Sequence, residues 1–350
     1  MKLIIEKLIN GGNGMGVCDG KRIFVPYSAP KDVLEVEISS DHASYQEACI
    51  KKIIKPAPCR VKPLCPVFGK CGGCQWQHIN YDEQLKWKQA ILVETLERVG
   101  QISKPIVLET LASPKQWHYR NRMQLHVDSC GRVGYYRPRS KEVVEFESCF
   151  IADETLNREL VERRQGISKR SKGIALRTGT EESFSQVNAS QNINLRKLLC
   201  DWLLDVPHSK VCELYAGSGN FTISIAQIAD HVIASEIDKR AVKFAAEKMA
   251  GAGISNVNFA CMPAEKAVNL HAAHSDVVVI DPPRKGCAEV STAIAKACPL
   301  SILYISCDPA TLARDVKTLS EHGYRHVHTK PVDMFPQTFH IESLTLLKHI

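Results

Sequence analysis

The chain has 350 residues, enough for two or three domains with cores of their own, and no apolar run in it approaches membrane-spanning length. Its formal net charge of +7 favours an acidic partner such as RNA. The start, Met1-Lys2-Leu3-Ile4-Ile5-Glu6-Lys7, is too short and too charged for a signal peptide, so a cytoplasmic protein is expected, and a monomer; its 14 cysteines are then not expected in disulfides, and some of them call for metal or catalysis.

Residues 1–54 read as short strands broken by glycines. Leu3-Ile4-Ile5, Arg22-Ile23-Phe24-Val25-Pro26 and Val33-Leu34-Glu35-Val36-Glu37-Ile38 cluster or alternate in the strand manner. Gly11-Gly12-Asn13-Gly14-Met15-Gly16 and Asp19-Gly20 are turn material; no helix follows them, which sets them apart from a dinucleotide loop. A small β-barrel of the oligonucleotide-binding kind fits this length. Lys55-Pro56-Ala57-Pro58 reads as a stiff linker, followed by Cys59, Cys65, Cys71 and Cys74. A helix is predicted over 82–99, with Leu85, Leu92, Leu96 and Val99 on one face and Gly100 as its stop. Gln124-Leu125-His126-Val127 and Val133-Gly134-Tyr135-Tyr136 predict a hairpin around Asp128-Ser129-Cys130-Gly131. Trp117-His118-Tyr119-Arg120-Asn121-Arg122 and Tyr135-Tyr136-Arg137-Pro138-Arg139 interleave aromatics with arginines, a composition that suits base stacking and phosphate contacts or, equally, a solvated hairpin. From Ser209 the pattern is strand–loop–helix. Lys210–Leu214 leads into Tyr215-Ala216-Gly217-Ser218-Gly219-Asn220-Phe221-Thr222, a helix begins at Ile223, and the strand His231–Ser235 ends at Glu236. That predicts an α/β fold with a doubly wound sheet and right-handed crossovers.

Three constellations carry chemistry. In the first, glycines after a strand let the backbone approach a ligand, and Glu236 is spaced to accept ribose hydroxyls. The loop, G-x-G-N with no phosphate-clamping lysine, favours S-adenosylmethionine over a phosphate-bearing ligand; the alternative is a tight turn in a non-binding unit. In the second, Cys65-x5-Cys71-Gly72-Gly73-Cys74 with the remote Cys149 suits a [4Fe–4S] cluster, whose irons each need a thiolate. Zinc is the other metal for four sulfurs, and Cys59 could stand in for Cys65. In the third, Cys307 ends the apolar run Ser301-Ile302-Leu303-Tyr304-Ile305, and Asp281 follows Val277-Val278-Val279-Ile280. Both runs read as buried parallel strands whose carboxyl ends face a ligand crevice, which is where a nucleophile belongs.

Together these motifs resemble the RNA 5-methyluridine (uracil-C5) methyltransferases over nearly the whole chain. Ile9–Val17 through Val33–Val36 resembles that family's TRAM domain, and Cys65-x5-Cys71-Gly-Gly-Cys74-Gln75-Trp76-Gln77-His78 its iron–sulfur motif. Phe184-Ser185-Gln186-Val187-Asn188, Leu214–Thr222, Asp281-Pro282-Pro283-Arg284-Lys285-Gly286, Ser306-Cys307-Asp308-Pro309 and Phe335-Pro-x-Thr-x-His340-x-Glu342 resemble its methyltransferase signatures, in order. The resemblance implies a TRAM-like barrel over 1–54, a small α+β central domain with the iron–sulfur motif over 55–180, onto whose neighbour helix 82–99 packs, and a Rossmann-like methyltransferase domain over 181–350. It implies cofactor contacts at Gln186, Tyr215, Glu236 and Asp281 beside the loop glycine Gly217, a nucleophile at Cys307 and a base at Glu342. Having both a TRAM segment and the cysteine motif, the chain resembles the branch acting on 23S ribosomal RNA. The competing readings are a transfer-RNA enzyme, a non-catalytic RNA-binding iron–sulfur protein and an amino-group methyltransferase, which would need no cysteine. The stretch between Cys74 and Gln186 is compact for the family.

Overall fold

The computed structural model describes residues 1–166, 173–178 and 186–350. Phe184 and Ser185 of one motif, and the expected boundary at 180/181, lie outside the described residues. The chain divides into two compact units. One comprises Met1–Ile91, Ser113–Gly179 and Phe335–His340, the other Leu92–Ala112, Thr180–Met334 and Ile341–Ile350. Among the described residues, no helix is long and apolar enough to cross a membrane.

In the first unit β1 (Lys2–Ile4), β2 (Lys7–Leu8), β3 (Gly14–Cys18), β4 (Lys21–Val25), β5 (Val33–Asp41) and β6 (Tyr45–Lys55) form one sheet, ordered β1-β5-β6-β4-β3-β2. The opening segment pairs with β5 through Lys2–Ile4 and with β3 through Lys7–Leu8, so the sheet curls round on itself. Alternation turns Leu3, Ile23, Val25, Leu34 and Val36 into its core. Two local readings change. Gly14 and Gly16 are strand residues, not turn residues: a Cβ on Gly14 would run into Ser28 Oγ, and one on Gly16 into the Ile4 carbonyl. The Lys55–Pro58 linker is tied down, because Lys55 closes β6 and the Ala57 N–H donates to Asp32 Oδ1 at 2.8 Å.

Asp32 is fully buried. It also accepts the Ala29 N–H at 2.6 Å and the Arg60 guanidinium at 2.7–3.0 Å. Removing one partner of a buried pair leaves the other charge uncompensated. Asp32→Ala is therefore expected to destabilise this unit by about 3–5 kcal/mol, seen as a lowered urea midpoint.

The helix α1 (Tyr81–Arg98) starts where Asn80 Oδ1 accepts the Glu83 N–H at 2.9 Å. Its first turns belong to this unit, whereas Leu92 and Leu96 lie in the core of the second. The expected hairpin forms from β7 (Arg122–Val127) and β8 (Val133–Tyr136), paired His126↔Gly134. With β9 (Val143–Glu145) it continues to the helix α2 (Glu154–Arg164) and β10 (Gly173–Arg177), and the sheet order is β10-β7-β8-β9. Met123, Leu125, Leu156, Leu160 and Leu176 fill the space between sheet and helix. Phe335–His340 packs in the same unit: the Lys88 ammonium donates to the Phe335 carbonyl at 3.1 Å, and the Gln84 amide exchanges two hydrogen bonds with Gln337.

The second unit opens with α3 (Ala189–Leu204) and alternates β11 (Lys210–Leu214), α4 (Thr222–Ile225), β12 (His231–Glu236), α5 (Lys239–Gly251), β13 (Val257–Cys261), α6 (Ala264–His271), β14 (Val277–Ile280), α7 (Ala288–Ala297), β15 (Ser301–Ser306) and α8 (Pro309–Ser320), closing with β16 (Tyr324–Val332) and β17 (Glu342–His349). The sheet order is β13-β12-β11-β14-β15-β17-β16. Strands β11 to β15 are parallel, and β17 runs antiparallel to both of its neighbours. Every residue of β14 and β15 is buried, as strands covered on both faces must be. The order reverses between β11 and β14, the switch point where open α/β sheets bind ligands. Because β17 is reversed, its first residue, Glu342, lies at the edge where β14 and β15 end.

Candidate active site and a cysteine-lined cavity

The last register pair of β15 and β17 is Ser306↔Ser343. One step beyond it stand Cys307 and Glu342. The turn carrying Cys307 is fixed by its own motif: Asp308 Oδ1 caps α8 by accepting the Ala310 and Thr311 N–H groups at 2.8 and 3.1 Å, and Pro309 occupies the first turn. Asp281 leaves the end of β14 alongside. The three acids act on one another. Burial pushes the Asp281 carboxyl up to about 7. Burial and then Asp281 hold the Glu342 carboxyl well above its ordinary value, with Arg284 opposing. Burial, then Glu342 and Asp281, push the Cys307 thiol up to about 12, with Arg284 again opposing. Its neighbours thus favour the protonated thiol: both acids resist ionisation of Cys307, and Asp281 resists that of Glu342.

Two residues of this cluster were not foreseen. Glu213 in β11 is buried, its Oε2 has no hydrogen-bond partner among the described residues, and burial followed by Asp281 raises it to about 8. Its signal was a glutamate inside an otherwise apolar strand. Arg284 was visible only as part of a motif, and its charge is what tempers the acids.

The glycine loop leaves β11 at Tyr215, which takes φ +61°, with Gly217 at +54° and Gly219 at +79°. The Gly217 N–H donates to Glu236 Oε2 at 2.9 Å, while Glu236 Oε1 accepts from Ile237 and Asp238. Loop and second-strand acid are thus one structure. Gln186 comes from a different element, two residues before Asn188, the N-cap of α3.

In the first unit Cys65, Cys71, Cys74 and Cys149 all line one cavity of 740 Å³, together with Gly72, Gly73, Arg120, His126, Tyr135 and His340. Cys59 does not; its sulfur lies 3.9 Å from the Pro30 carbonyl. Burial raises all four thiols, Cys71 to about 11, and each of Cys71, Cys74 and Cys149 feels other members of the set. Against that, donors converge on the sulfurs: the Val67 and Phe68 amides on Cys65, the Gly73 amide on Cys71 at 3.4 Å, the Gln77 side chain on Cys74, and the Ile151 and Ala152 amides on Cys149. Such donors favour thiolates, the form that binds metal. The residues fit a thiolate-bound metal group. Among the described residues, however, no group of three or more His, Cys, Asp or Glu side chains is placed to hold a metal ion.

A seven-stranded sheet with an antiparallel penultimate strand, a glycine loop after its first strand and an acid ending its second define a methyltransferase. The chain matches the tRNA (Uracil-5-)-methyltransferase family over residues 155–350. It is 32% identical to an RNA methyltransferase of Aquifex aeolicus, covering 99% of this chain and 98% of that one, and 32% identical to another of Bdellovibrio bacteriovorus, covering 99% and 95%. It shares its fold with the Pyrococcus abyssi tRNA (uracil-54, C5)-methyltransferase solved in complex with S-adenosyl-L-homocysteine, with TM-score 0.77, 24% identity and coverage of 99% and 100% of the two chains. The protein belongs to the tRNA (uracil-5-)-methyltransferase family and is an S-adenosylmethionine-dependent RNA methyltransferase.

Proposed function

We propose that the protein methylates C5 of a uridine in ribosomal RNA, with 23S RNA the foremost substrate, through a covalent bond between Cys307 and C6 of the uracil. The observation that carries this reading is the meeting of Cys307, Asp281 and Glu342 at the edge of a methyltransferase sheet where β14 and β15 end. C5 of uracil is too weak a nucleophile to attack a sulfonium methyl unaided. Cys307, having given its proton to solvent, adds to C6, and the C5=C6 electron pair moves to O4 as an enolate. C5 then attacks the methyl group, the sulfur–methyl bond breaks, and S-adenosylhomocysteine leaves. The Glu342 carboxylate takes the C5 proton, the double bond re-forms and Cys307 departs as thiolate. Gln186, Tyr215, Gly217, Glu236 and Asp281 hold the cofactor. The target must be unstacked or drawn from a loop to reach Cys307.

In this reading residues 1–54 form a TRAM-like barrel that binds RNA, and 55–180 a central domain in which Cys65, Cys71, Cys74 and Cys149 hold a [4Fe–4S] cluster. The four cysteines line one cavity, and four thiolates match a cluster whose irons each take one. Residues 181–350 carry the chemistry, and the enzyme works as a cytoplasmic monomer. The RNA branch is tested with radiolabelled cofactor and transcripts of 23S RNA and tRNA, followed by nucleoside chromatography. Labelled 5-methyluridine from 23S RNA is expected; label only in tRNA would assign the other branch, and label in any other nucleoside would reject the chemistry.

The reaction needs Cys307 and Glu342 deprotonated, and both sit above their ordinary values. Activity should therefore rise with pH. Arg284 lowers both groups, so Arg284→Met is expected to move the rise to higher pH and to slow turnover at pH 7 by about tenfold, read from a pH–rate profile.

A further inference from the structure

We infer that Asp315, on α8, is a positioning residue for the reaction: it anchors the loop that carries Asp281 and Arg284 to the helix that begins beside Cys307. The inference rests on the roles assigned above to that site. Asp315 is fully buried. Its Oδ2 accepts the Cys287 N–H at 2.7 Å and the Tyr304 O–H at 2.7 Å. Its Oδ1 accepts the Arg314 Nε and Nη2 groups at 2.9 and 2.8 Å. Arg314 Nη2 also donates to the Lys285 carbonyl at 3.1 Å. Both ends of the loop's second half, Lys285 and Cys287, are thus tied to one carboxylate and its neighbouring guanidinium.

Gly286 between them shows how close the approach is. It takes φ +72°, and a Cβ there would run into Arg314 Nη2 and into Asp315 Oδ2 at 2.7 Å. The anchor also reaches the nucleophile's own strand, because Tyr304 lies in β15, three residues before Cys307. Cys287 completes the group, its sulfur 3.4 Å from the Tyr304 hydroxyl and 3.5 Å from the Ser291 hydroxyl. None of these residues belongs to the set that performs the chemistry. Yet they join the segment bearing Asp281 and Arg284 to the strand and helix on either side of Cys307. The charged and titratable groups acting on Cys307 are Glu342, Asp281, Arg284 and Asp308, and two of those four ride on the anchored segment.

An amide cannot replace this carboxylate. Asparagine offers one acceptor oxygen, so it can satisfy Cys287 and Tyr304 or Arg314, but not both. With the anchor cut, the loop loses the fixed placement of Arg284, and small misplacements of catalytic groups cost up to about 100-fold in rate. The experiment is a double-mutant cycle in pH–rate profiles of methyl transfer, using wild type, Arg284→Met, Asp315→Asn and the double variant. Asp315→Asn is expected to slow turnover about 10- to 100-fold and to move the rise in activity to higher pH, as Arg284→Met does. The double variant should show no further displacement. A uniform loss of rate at every pH, or displacements that add in full, would show a merely structural role and overturn the inference. Should Asp315→Asn not fold, Tyr304→Phe removes one donor and keeps the ring; it must give a smaller displacement in the same direction, and none at all would equally overturn it. If Arg284→Met alone leaves the profile unmoved, the underlying reading of the site has failed instead, and the inference falls with it.

Discussion

Glu342→Gln enzyme incubated with cofactor and RNA is expected to remain covalently joined to methylated RNA. Addition of Cys307 and transfer of the methyl group precede removal of the C5 proton, so a site without its base completes both and then stops. Glutamine keeps the shape and removes the proton acceptor. The adduct should migrate as a slow band in denaturing electrophoresis, carry label from the cofactor's methyl group, and disappear when Cys307→Ala is added. Cys307→Ala alone should lower turnover by at least about 10⁴-fold with no adduct at any stage, since the nucleophile acts as part of a unit. The burial of Glu342 and its nearness to Asp281 make it a base of raised affinity for protons. A Glu342→Gln enzyme that turns over normally would assign proton removal to another group, and Asp281 would be the first to examine.

Protein purified without oxygen is expected to be brown and to contain about four irons per chain, one for each of Cys65, Cys71, Cys74 and Cys149. Cys74→Ser should lose the colour and the iron together. Four raised thiols in one cavity are costly to ionise without a cation, and the amide donors aimed at them are idle without thiolates. A bound metal group would resolve both. Stoichiometric zinc with no iron would decide for the other metal. Cys59→Ser should change neither colour nor iron, because its sulfur faces Pro30 and not the cavity.

The second unit was more legible in the sequence than the first, for a physical reason. A parallel strand buried on both faces must be a continuous apolar run, and Val277–Ile280 and Ser301–Ile305 are such runs, so the residues after them could be placed at the crevice before any coordinates. The N-terminal sheet is harder to read because its glycines serve close packing. Gly14 and Gly16 look like turn residues until Ser28 and Ile4 are seen against them. The cysteines could be grouped by spacing, but only the fold separates Cys65 from Cys59. Glu213 stayed hidden because one acid in a short strand carries no periodic signal, and Asp315 because its partners, Cys287, Tyr304 and Arg314, come from three different elements. What spacing cannot carry is direction. That Phe335–His340 joins the first unit while Glu342 opens a reversed strand of the second follows only from tertiary structure.

The gathering of acids at one edge of the sheet bears on how the enzyme empties itself between turnovers. Glu213, Asp281 and Glu342 are acids raised by burial near the ends of β11, β14 and β17, and Arg284 is the cation that opposes Glu342. The cofactor arrives with a positive sulfonium; the product leaves as a neutral thioether. Any of these carboxyls, when ionised, would hold the sulfonium more strongly than the neutral thioether, which has lost the positive charge together with the methyl group. In the proposed site, methyl transfer would therefore loosen the grip on its own by-product, and Asp281 and Glu342, which raise the Cys307 thiol, would also favour clearing the site for the next round.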